Sequence, residues 1–432
     1  MNTIQPRTLK GFRDFFGAQL LNRKKVFEII ENIFQKYGYE PLETPALEYF
    51  DILMGKYGEE EKLIYNFNDL GGRKVALKYD LTVPTSRVLA QYRDKILLPW
   101  KRYQIQPVWR ADNTQKGRFR EFWQCDADIL GSPDMLADAE LIKMGIEILT
   151  ELGFKDFTVR LNNRKILNAI AKYCGREDKL FDIVYAIDKW DKRALDETKN
   201  DMNGKGLTFG EIDKVISCVV LDESDSLKAL DKLSEILSNI EEGISGISEL
   251  REIFTLVNNP EKVVYDGTIA RGLAYYTGPV WEWNIIEGGV GSVGGCGRYD
   301  KLVGSFLGRD IPATGGSFGI ERILEVMKDR GILSELSNTT NVLVTVFNKS
   351  SAPRSIEISE ILRENGINSF VYPQYRTISK QLEYASKKGF PFAIIVGEDE
   401  IKNNTITLKD LNKREQTTVN FEEALKIISI NN

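Results

Sequence analysis

The chain contains no histidine among its 432 residues. This absence excludes catalysis by a Ser-His-Asp triad, zinc sites with imidazole ligands and acid–base catalysis by an imidazole. An enzymatic reaction on this chain would therefore depend on arginine, carboxylate or tyrosine side chains, or on phosphate bridged by a metal ion.

The cysteine spacings that build disulfide frameworks or thiolate metal sites are also missing. The cysteines are scattered and form no Cys-x-x-Cys pair; they are Cys125, Cys174, Cys218 and Cys296. This usage is typical of a reducing compartment. We therefore expect a cytoplasmic protein, and we assign no residue as a metal ligand.

Long apolar runs and an excess of positive charge are absent as well. The sequence has no run apolar enough for a transmembrane helix, and its polar start, MNTIQPRTLKGFRDF, does not resemble a signal peptide. We therefore expect no membrane association. The formal net charge is -5, so local basic patches would have to hold any nucleic-acid partner.

The most informative stretch is residues 102–128, RYQIQPVWRADNTQKGRFREFWQCDAD. Two strand-like runs, from Arg102 to Arg110 and from Arg118 to Asp128, flank a short polar loop. Successive side chains of a strand point to opposite faces, so the second run has two different faces. One face carries Phe119, Glu121, Trp123 and Cys125; the other carries Arg118, Arg120, Phe122, Gln124, Asp126 and Asp128.

The second of these faces changes in chemistry along its length. It is cationic near the loop, where Arg110 can join it, then aromatic, and finally amide and carboxylate. Such a face suits a ligand with phosphates at one end, a flat base in the middle and N–H donors at the other end. Alternation alone favours a simpler interpretation, a solvated hairpin with charges on its outer face.

A second group of candidate residues is Asp80-Leu81-Thr82. It follows a predicted hairpin of residues 63–67 and 75–79 and precedes a helix that begins near Pro84. An aspartate and a threonine at such a junction would cap the helix, or they would offer two acceptors to a ligand.

Glycines are dense in GGVGSVGGCGRYD, which starts at Gly288. Both flanks are strand-like, whereas a dinucleotide-binding motif needs a helix after the glycines. The glycines would instead let a ligand or a strand approach a sheet closely. The next segment, TGGSFGIERILEVM, predicts a strand that enters a helix. Arg322 lies in that helix's first turn, where positive charge is unfavourable, which indicates another role for it.

The remaining patterns predict the organisation of the chain. Residues 21–37 have the periodicity of an amphipathic helix, and prolines 41 and 45 indicate a run at a sheet edge or interface. Residues 164–258 are charged and helix-forming, which indicates a helical insertion. Strands and helices alternate after residue 341, which favours a mostly parallel sheet. We predict a domain at 1–328, a linker at 329–341 and an α/β domain at 342–432.

Together these motifs resemble those of histidyl-tRNA synthetases, which are class II aminoacyl-tRNA synthetases. Residues 24–50 resemble the first class II motif, WRADNTQKGRFREFWQ the second, GGSFGIERI the third, and ARGLAYYTG the histidyl signature. The segment KQLEYASKKGFPFAIIVGEDE resembles the anticodon-binding domain. The resemblance covers essentially the whole chain. It implies an α+β fold, with a mixed, mainly antiparallel catalytic sheet, a helical insertion and a C-terminal α/β anticodon-binding domain.

The resemblance also implies an activity and its residues. A homodimer would activate L-histidine with ATP and Mg²⁺, and would transfer it to the 3′ end of tRNA(His). Arg110 and Arg271 would be catalytic, because they place positive charge on the α-phosphate. Histidine would be bound by Asp80, Leu81, Thr82, Arg110, Gln124, Asp128, Arg271, Tyr275 and Tyr276, and ATP by Arg110, Asp112, Arg118, Phe122 and Arg322.

Simpler roles exist for some of these residues. Tyr275 and Tyr276 would be ordinary strand residues, and Arg271 would be a surface ion-pair partner. The order of the motifs along the chain favours the functional roles.

The sequence departs from the family pattern at Ala274, where histidyl enzymes carry the aspartate of RGLDYY. This change would weaken the affinity for imidazole. We further hypothesise that Gln115, in the polar loop, reads the extra 5′ guanosine of histidine tRNA.

The sequence leaves two other classes of function to compare with this one. One is a regulatory paralogue that senses histidine without charging tRNA; such paralogues typically lack the C-terminal domain and the motif arginines, which this chain retains. The other is a purely structural protein, which would leave the converging ligand-type residues unexplained.

Overall fold

The structure is a computed structural model that describes residues 4–190, 195–221, 223–270, 275–333 and 338–430. Its contacts divide the chain into two compact units, described separately below. The first comprises Met1–Asp14 and Lys25–Leu333, and the second comprises Phe15–Lys24 and Ser334–Asn432.

The strands follow in chain order. They are β1 (Glu40–Pro41), β2 (Leu47–Tyr49), β3 (Asn66–Asn68), β4 (Lys74–Leu77), β5 (Trp100–Trp109), β6 (Glu121–Leu130), β7 (Phe157–Asn163), β8 (Val263–Tyr265), β9 (Pro279–Ile285), β10 (Ser292–Arg298), β11 (Ala313–Gly319), β12 (Val342–Val344), β13 (Ser369–Val371), β14 (Phe392–Ile395), β15 (Ile406–Asp410) and β16 (Glu415–Val419).

The helices lie between these strands. They are α1 (Ala18–Lys36), α2 (Phe50–Leu53), α3 (Thr82–Gln91), α4 (Met135–Glu151), α5 (Arg164–Tyr173), α6 (Leu180–Asp188), α7 (Leu195–Gly204), α8 (Phe209–Val219), α9 (Ser226–Ile236), α10 (Glu241–Val257), α11 (Gly304–Leu307), α12 (Ile320–Asp329), α13 (Ala352–Glu364), α14 (Ile378–Lys387), α15 (Glu398–Asn403) and α16 (Phe421–Ile430), with 3-10 turns at Gly58–Leu63 and Glu177–Lys179.

The first unit is built on a sheet with the strand order β1-β5-β6-β11-β10-β9-β7-β8. The outermost pairs, β1–β5 and β7–β8, are parallel, and the pairs between them are antiparallel. The prediction of a mixed, mainly antiparallel sheet is therefore confirmed. Pro41 lies in the edge strand β1, which is where a residue without an N–H donor is tolerated.

The central hairpin of this sheet is formed by β5 and β6, which pair from Trp109 opposite Glu121 to Trp100 opposite Leu130. The two predicted runs are thus paired strands, but their limits were wrong at the loop end. Residues 110–120 form the connection, so Arg118 and Arg120 do not belong to the strand. The alternation of faces holds only from Glu121 onward.

The core of the first unit packs helices against this sheet. Gly145 of α4 lies so close to Trp283 of β9 that a Cβ at that position would be 2.3 Å from the indole. On the hairpin, Trp123 packs against Phe27 of α1 in a tilted arrangement with ring centroids 5.1 Å apart. These contacts hold the core-facing side of β6, so the side chains on its other face point away from the core.

Helices α5 to α10 follow one another through the stretch predicted as a helical insertion. Asn163 ends β7 and caps α5, because its side-chain oxygen accepts a hydrogen bond of 3.0 Å from the Lys165 N–H. Among the described residues, no helix combines the length and the apolar character needed to cross a bilayer.

The second unit contains a sheet with the order β13-β12-β14-β15-β16. The pairs of β12 are parallel, but β14–β15 and β15–β16 are antiparallel. The prediction of a mostly parallel sheet was therefore wrong. The hairpin of β15 and β16 was not predicted. In its turn, Asp410 accepts hydrogen bonds from the N–H groups of Asn412 and Lys413, at 3.0 and 2.8 Å.

Candidate active site

A cavity of about 950 Å³ lies over the exposed side of β6, β10 and β11. Most of the residues that the sequence singled out line it: Asp80, Thr82, Arg110, Asp112, Gln115, Arg118, Phe122, Gln124, Asp128, Tyr275, Tyr276 and Arg322. They come from distant parts of the chain, so the fold brings them together.

Two predicted site residues, Leu81 and Arg271, are not among the described residues that line the cavity. The Leu81 side chain is fully buried and is not among the cavity-lining residues, although its carbonyl accepts a 2.8 Å hydrogen bond from the Thr85 hydroxyl within α3. Arg271, like the atypical Ala274, lies outside the described residues.

The graded face of β6 is the floor of the cavity. Phe122, Gln124, Asp126 and Asp128 all line it, whereas Cys125 is buried in the core on the other side. Asp126 and Asp128 are each 2% exposed. The interpretation of this face as a solvated hairpin is therefore wrong at its acidic end.

Arg110 marks the cationic end of the cavity. Its Nε donates a 3.0 Å hydrogen bond to the Tyr79 carbonyl, and its guanidinium lies 4.2 Å from the Tyr79 ring centroid and 5.2 Å from that of Phe122. Burial opposes the charge, but nearby Tyr79, Glu60 and other acidic groups raise the pKa of Arg110. Arg110 therefore stays a cation, held beside an aromatic face.

Arg322 approaches the same cavity from α12. It donates a hydrogen bond to the Ser292 carbonyl. Gly117 of the β5–β6 connection lies against it, and a Cβ there would be 3.1 Å from the Arg322 Cγ. The same connection brings Arg118 Nε to within 4.0 Å of an Asp112 carboxylate oxygen, with the Arg118 side chain 41% exposed.

Asp128 anchors the opposite, acidic end. It forms a buried ion pair with Arg102 and accepts a hydrogen bond from the Tyr299 hydroxyl. Burial raises the pKa of Asp128, and the Arg102 charge acts in the other direction. Neither Arg102 nor Tyr299 was predicted as a site residue. The only available signal for Arg102 was its cross-strand position opposite Asp128.

Asp80 supports the start of α3 and also faces the cavity, so its role at the helix start is confirmed and its role as a ligand acceptor stays a prediction. Its Oδ1 accepts hydrogen bonds from the Tyr57 hydroxyl at 2.9 Å and from the Val83 N–H at 3.1 Å. Its buried Oδ2 has no hydrogen-bond partner among the described residues. Burial raises the pKa of Asp80.

Gln124 presents a similar acceptor. Its amide nitrogen donates a 2.6 Å hydrogen bond to the Ser317 hydroxyl of β11. Its buried oxygen has no partner within the described part of the chain. The free oxygens of Asp80 and Gln124 are therefore buried acceptors in the cavity that a ligand with N–H donors would satisfy.

Glycines allow the site to lie close to the sheet. A Cβ at Gly315 of β11 would be 1.7 Å from the Asp128 Oδ1, and one at Gly297 of β10 would be 2.6 Å from the Tyr276 ring. Tyr276 in turn packs against Tyr275, with ring centroids 4.9 Å apart. Within the glycine-dense segment that starts at Gly288, a Cβ at Gly294 would be 2.7 Å from the Ser317 carbonyl oxygen of β11, so the predicted close approach of a strand is confirmed there.

The N-terminal segment packs against one side of the cavity, a contact that was not predicted. The Arg13 guanidinium lies 3.3 Å from the Phe119 ring centroid and forms an ion pair with Glu321, which is 4% exposed. Phe119 and Glu321 both line the cavity. Phe119 was predicted on the face away from the ligand, which was wrong because β6 begins only at Glu121.

Comparisons with known proteins give a consistent result. A family model described as histidyl-tRNA synthetase matches residues 11–323, and one described as an anticodon binding domain matches residues 341–431. The histidine–tRNA ligase of Cytophaga hutchinsonii is 40% identical over 98% of this chain and 99% of its own length. That of Rhodopirellula baltica is 37% identical over 97% of this chain and 96% of its own.

Solved structures agree with these sequence matches. The crystal structure of histidyl-tRNA synthetase from a Nostoc species superposes with a TM-score of 0.86 at 30% identity, with 100% of both chains covered. The apo enzyme from S. aureus has a TM-score of 0.73 at 20% identity, which supports the fold alone.

Proposed function

The chain belongs to the histidyl-tRNA synthetase family, and we propose that the cavity over β6 is where it activates its amino acid. It is a histidine–tRNA ligase: it forms histidyl adenylate from L-histidine and ATP and transfers the histidyl group to tRNA(His). A histidine-sensing paralogue is not favoured, because the ligases match this chain over nearly its whole length.

One observation carries the assignment of the cavity. A single floor strand presents an aromatic ring at Phe122, an amide at Gln124 and a carboxyl at Asp128, with Arg110 beside the aromatic end. Histidyl adenylate has the same order of groups: adenine and phosphate, then the ammonium, then the imidazole. The match supports one ligand lying along β6.

The amino-acid end would bind histidine through acceptors that are otherwise unused. Asp80, Thr82 and Gln124 would hold the ammonium, whose N–H donors suit the buried free oxygens of Asp80 and Gln124. Asp128 and Tyr276 would engage the imidazole, and Tyr275 would line the pocket. The Arg102 and Tyr299 contacts to Asp128 would orient that carboxylate.

The other end would bind ATP. Phe122 would stack on the adenine, Asp112 would accept from the adenine amino group, and Arg118 and Arg322 would contact the nucleotide. Arg110 would contact the α-phosphate and the substrate carboxylate. By the family resemblance, Arg271 would place a second cation on the same phosphate.

Mg²⁺ would arrive with ATP. Within the described ranges, no cluster of three or more carboxylate or thiolate side chains is arranged to hold a metal. Magnesium commonly keeps several waters and binds through phosphates and one or two carboxylates, and Glu60, Asp112 and Glu321 line the cavity. The ion would supply charge neutralisation on the phosphates.

The protein's part in the reaction would be alignment and electrostatic stabilisation. The histidine carboxylate attacks the α-phosphorus, and pyrophosphate leaves. Asp80, Gln124 and Asp128 would fix the histidine so that its carboxylate faces the phosphorus. Arg110 would stabilise the charge that develops in the transition state, because its guanidinium is already fixed by Tyr79.

Transfer to tRNA would involve further parts of the chain. Gln115 is exposed at the cavity rim and would contact the extra 5′ guanosine of tRNA(His). Residues 341–431, which match the anticodon-binding model, would contact the anticodon. By resemblance we propose that the enzyme acts as a homodimer in the cytoplasm.

The test is amino-acid-dependent ATP–pyrophosphate exchange, followed by charging of tRNA(His). We expect exchange with histidine and not with the other amino acids. Histidine binding without exchange would favour the sensor. For Gln115→Ala, we expect a reduced preference for tRNA with the extra guanosine; an unchanged ratio of charging with and without it would remove that contact.

A further inference from the structure

Strand β6 carries a second carboxyl on the cavity side, Asp126, to which neither the motifs nor the proposed function gives a role. It lies two residues before Asp128, lines the cavity and is 2% exposed. Its Oδ1 has no hydrogen-bond partner among the described residues. A buried polar atom without a partner is costly, and such atoms in native proteins commonly have a ligand or a functional role.

The two carboxyls differ in how the protein holds them. Asp128 has a cation, Arg102, and a hydroxyl donor, Tyr299. Asp126 has the Ser317 hydroxyl as a side-chain hydrogen-bond neighbour, and that hydroxyl also accepts the Gln124 amide N–H at 2.6 Å. The internal contacts therefore account for Asp128 but leave Asp126 with an unused oxygen in the cavity.

Charged groups on several elements face Asp126. Asp128 lies on the same strand, Arg102 on β5, Asp80 before α3, and Lys78 and Tyr299 are near enough to interact. Burial, opposed by Arg102 and assisted by Asp128, raises the pKa of Asp126 to about 7. Near neutral pH this carboxyl is therefore available both as an acceptor and, when protonated, as a donor.

We propose that Asp126 is a further specificity-determining residue, which acts with Asp128 so that two carboxyls engage the two nitrogen atoms of the histidine imidazole. The proposal rests on the function assigned above. Neutral imidazole has one N–H donor and one acceptor nitrogen, whereas imidazolium has two donors. The fixed Asp128 carboxylate accepts from one N–H. Asp126 donates to the other nitrogen when protonated and accepts from it when ionised.

The chemistry of the pair excludes other side chains. An aliphatic side chain offers no donor to either carboxyl and leaves the unused Asp126 oxygen without a partner, and the loss of such hydrogen bonds discriminates strongly against a substrate. An amide side chain such as glutamine satisfies one carboxyl but lacks the second, oppositely placed nitrogen. The pair therefore recognises both edges of the imidazole ring.

The test compares Asp126→Asn with Asp126→Ala by histidine-dependent ATP–pyrophosphate exchange between pH 6 and pH 8.5. Asparagine can donate to a neutral imidazole but cannot replace a carboxylate for imidazolium. We expect the KM for histidine of Asp126→Asn to be equal to or lower than that of wild type at pH 8.5, where the wild-type carboxyl must take up a proton to donate, and to rise on the order of tenfold toward pH 6. We expect Asp126→Ala to raise that KM by a similar factor at every pH. In both variants the KM for ATP should stay within about twofold.

The control is Asp94→Asn, a carboxylate with a 91% exposed side chain, which should leave the KM for histidine unchanged. A KM for histidine within twofold of wild type in both Asp126 variants would overturn the proposal. An equal, pH-independent rise in both would also overturn it, because it would indicate a structural role. Thermal unfolding checks that each variant is folded. A wild-type protein without histidine-driven exchange would instead refute the proposed function.

Discussion

At the scale of single residues, the site depends on how buried charges are compensated. Arg102 is fully buried and forms an ion pair with Asp128, which also accepts from Tyr299. Losing one member of such a pair leaves an uncompensated charge, which is strongly unfavourable. We infer that Asp128 keeps one orientation because both partners hold it.

Gly315 of β11 lies opposite Asp128 in the sheet and leaves room for its carboxylate. A Cβ at Gly315 would overlap the Asp128 carboxylate at 1.7 Å, so Gly315→Ala must displace that side chain. We expect this variant to raise the KM for histidine at least tenfold, as measured by pyrophosphate exchange, with a smaller change in the KM for ATP.

Gly210→Ala is the matched control for Gly315→Ala. Gly210 lies in α8, and a Cβ there meets no described atom within 4 Å. We expect unchanged kinetics and a stability that is equal or higher by up to ~1 kcal/mol, because alanine favours helix. If Gly315→Ala kept a wild-type KM for histidine, the position of Asp128 would not govern histidine binding.

A buried lysine beneath the site gives a prediction about pH. Lys78 is 1% exposed, and its ammonium donates to the Thr44 carbonyl at 3.0 Å and to Gln106 at 2.9 Å. Burial lowers the pKa of Lys78 from 10.5 to about 8. The unfolded chain binds the Lys78 proton more tightly than the folded chain does. Burying the charged lysine therefore lowers the free energy of unfolding by its full amount below pH 8, and this loss of stability fades as the pH rises toward 10.5.

We therefore expect the stability of wild type relative to Lys78→Met to increase between pH 7 and pH 10. The expected change is on the order of 2 kcal/mol, from about 1.4 kcal/mol per pKa unit. The measurement is the difference in urea unfolding free energy between the two proteins at each pH. A difference that stays constant or falls over this range would show that the Lys78 pKa is not lowered by folding.

At the scale of elements, the hairpin of β5 and β6 was the most predictable part. Strict alternation placed Phe122, Gln124 and Asp128 on one face, because a strand ten residues long keeps its period of two. The ends of the strands were not predictable, since the 110–120 connection is positioned by contacts with the N-terminal segment and α12. The Arg120 N–H, for example, donates to the Gly11 carbonyl at 2.9 Å.

Contacts between distant elements explain most of the other features that were not predicted. Arg102 and Tyr299 meet Asp128 from different strands and loops, and no local pattern in the sequence marks such a meeting. The β15–β16 hairpin was missed because β16 is polar and exposed along most of its length, and its turn uses Asp410 with Arg414 at a φ of 60°. The burial of Asp126 likewise depends on β11 and β5 lying on either side of it.

A brace of three side chains, Arg13, Phe119 and Glu321, joins the N-terminal segment to the 110–120 connection and to α12, and it yields a prediction. Arg13 joins Phe119 of the connection to Glu321, which is next to Arg322. We expect Arg13→Ala to raise the KM for ATP several-fold in pyrophosphate exchange and to leave the KM for histidine unchanged, because both partners lie at the nucleotide end of the site.

Two further variants separate the possible causes. Arg13→Lys keeps the charge but loses the planar contact with the ring, so it should have an intermediate KM for ATP. Lys10→Ala changes an exposed residue of the same segment and should have no effect. Equal increases in the KM values for ATP and histidine in Arg13→Ala would indicate general disruption of the cavity and would contradict the proposed brace.

At the scale of the whole molecule, all the residues that line the cavity belong to the first unit. The second unit has its own sheet and its own core, which includes Val342, Ile358 and Ile394. We therefore propose that amino-acid activation takes place in the first unit and anticodon recognition in the second. The sequence predicted a second domain from a change of pattern near residue 341, and the anticodon-binding family model matches residues 341–431.

The central claim is that one ligand lies along β6 with its phosphate at Arg110 and its imidazole at Asp128. A crystal structure with a non-hydrolysable histidyl-adenylate analogue tests it most directly. We expect the adenine on Phe122, the phosphate mimic within hydrogen-bond distance of Arg110, and the imidazole between Asp126 and Asp128. An analogue bound in the reverse direction, or outside this cavity, would contradict the account.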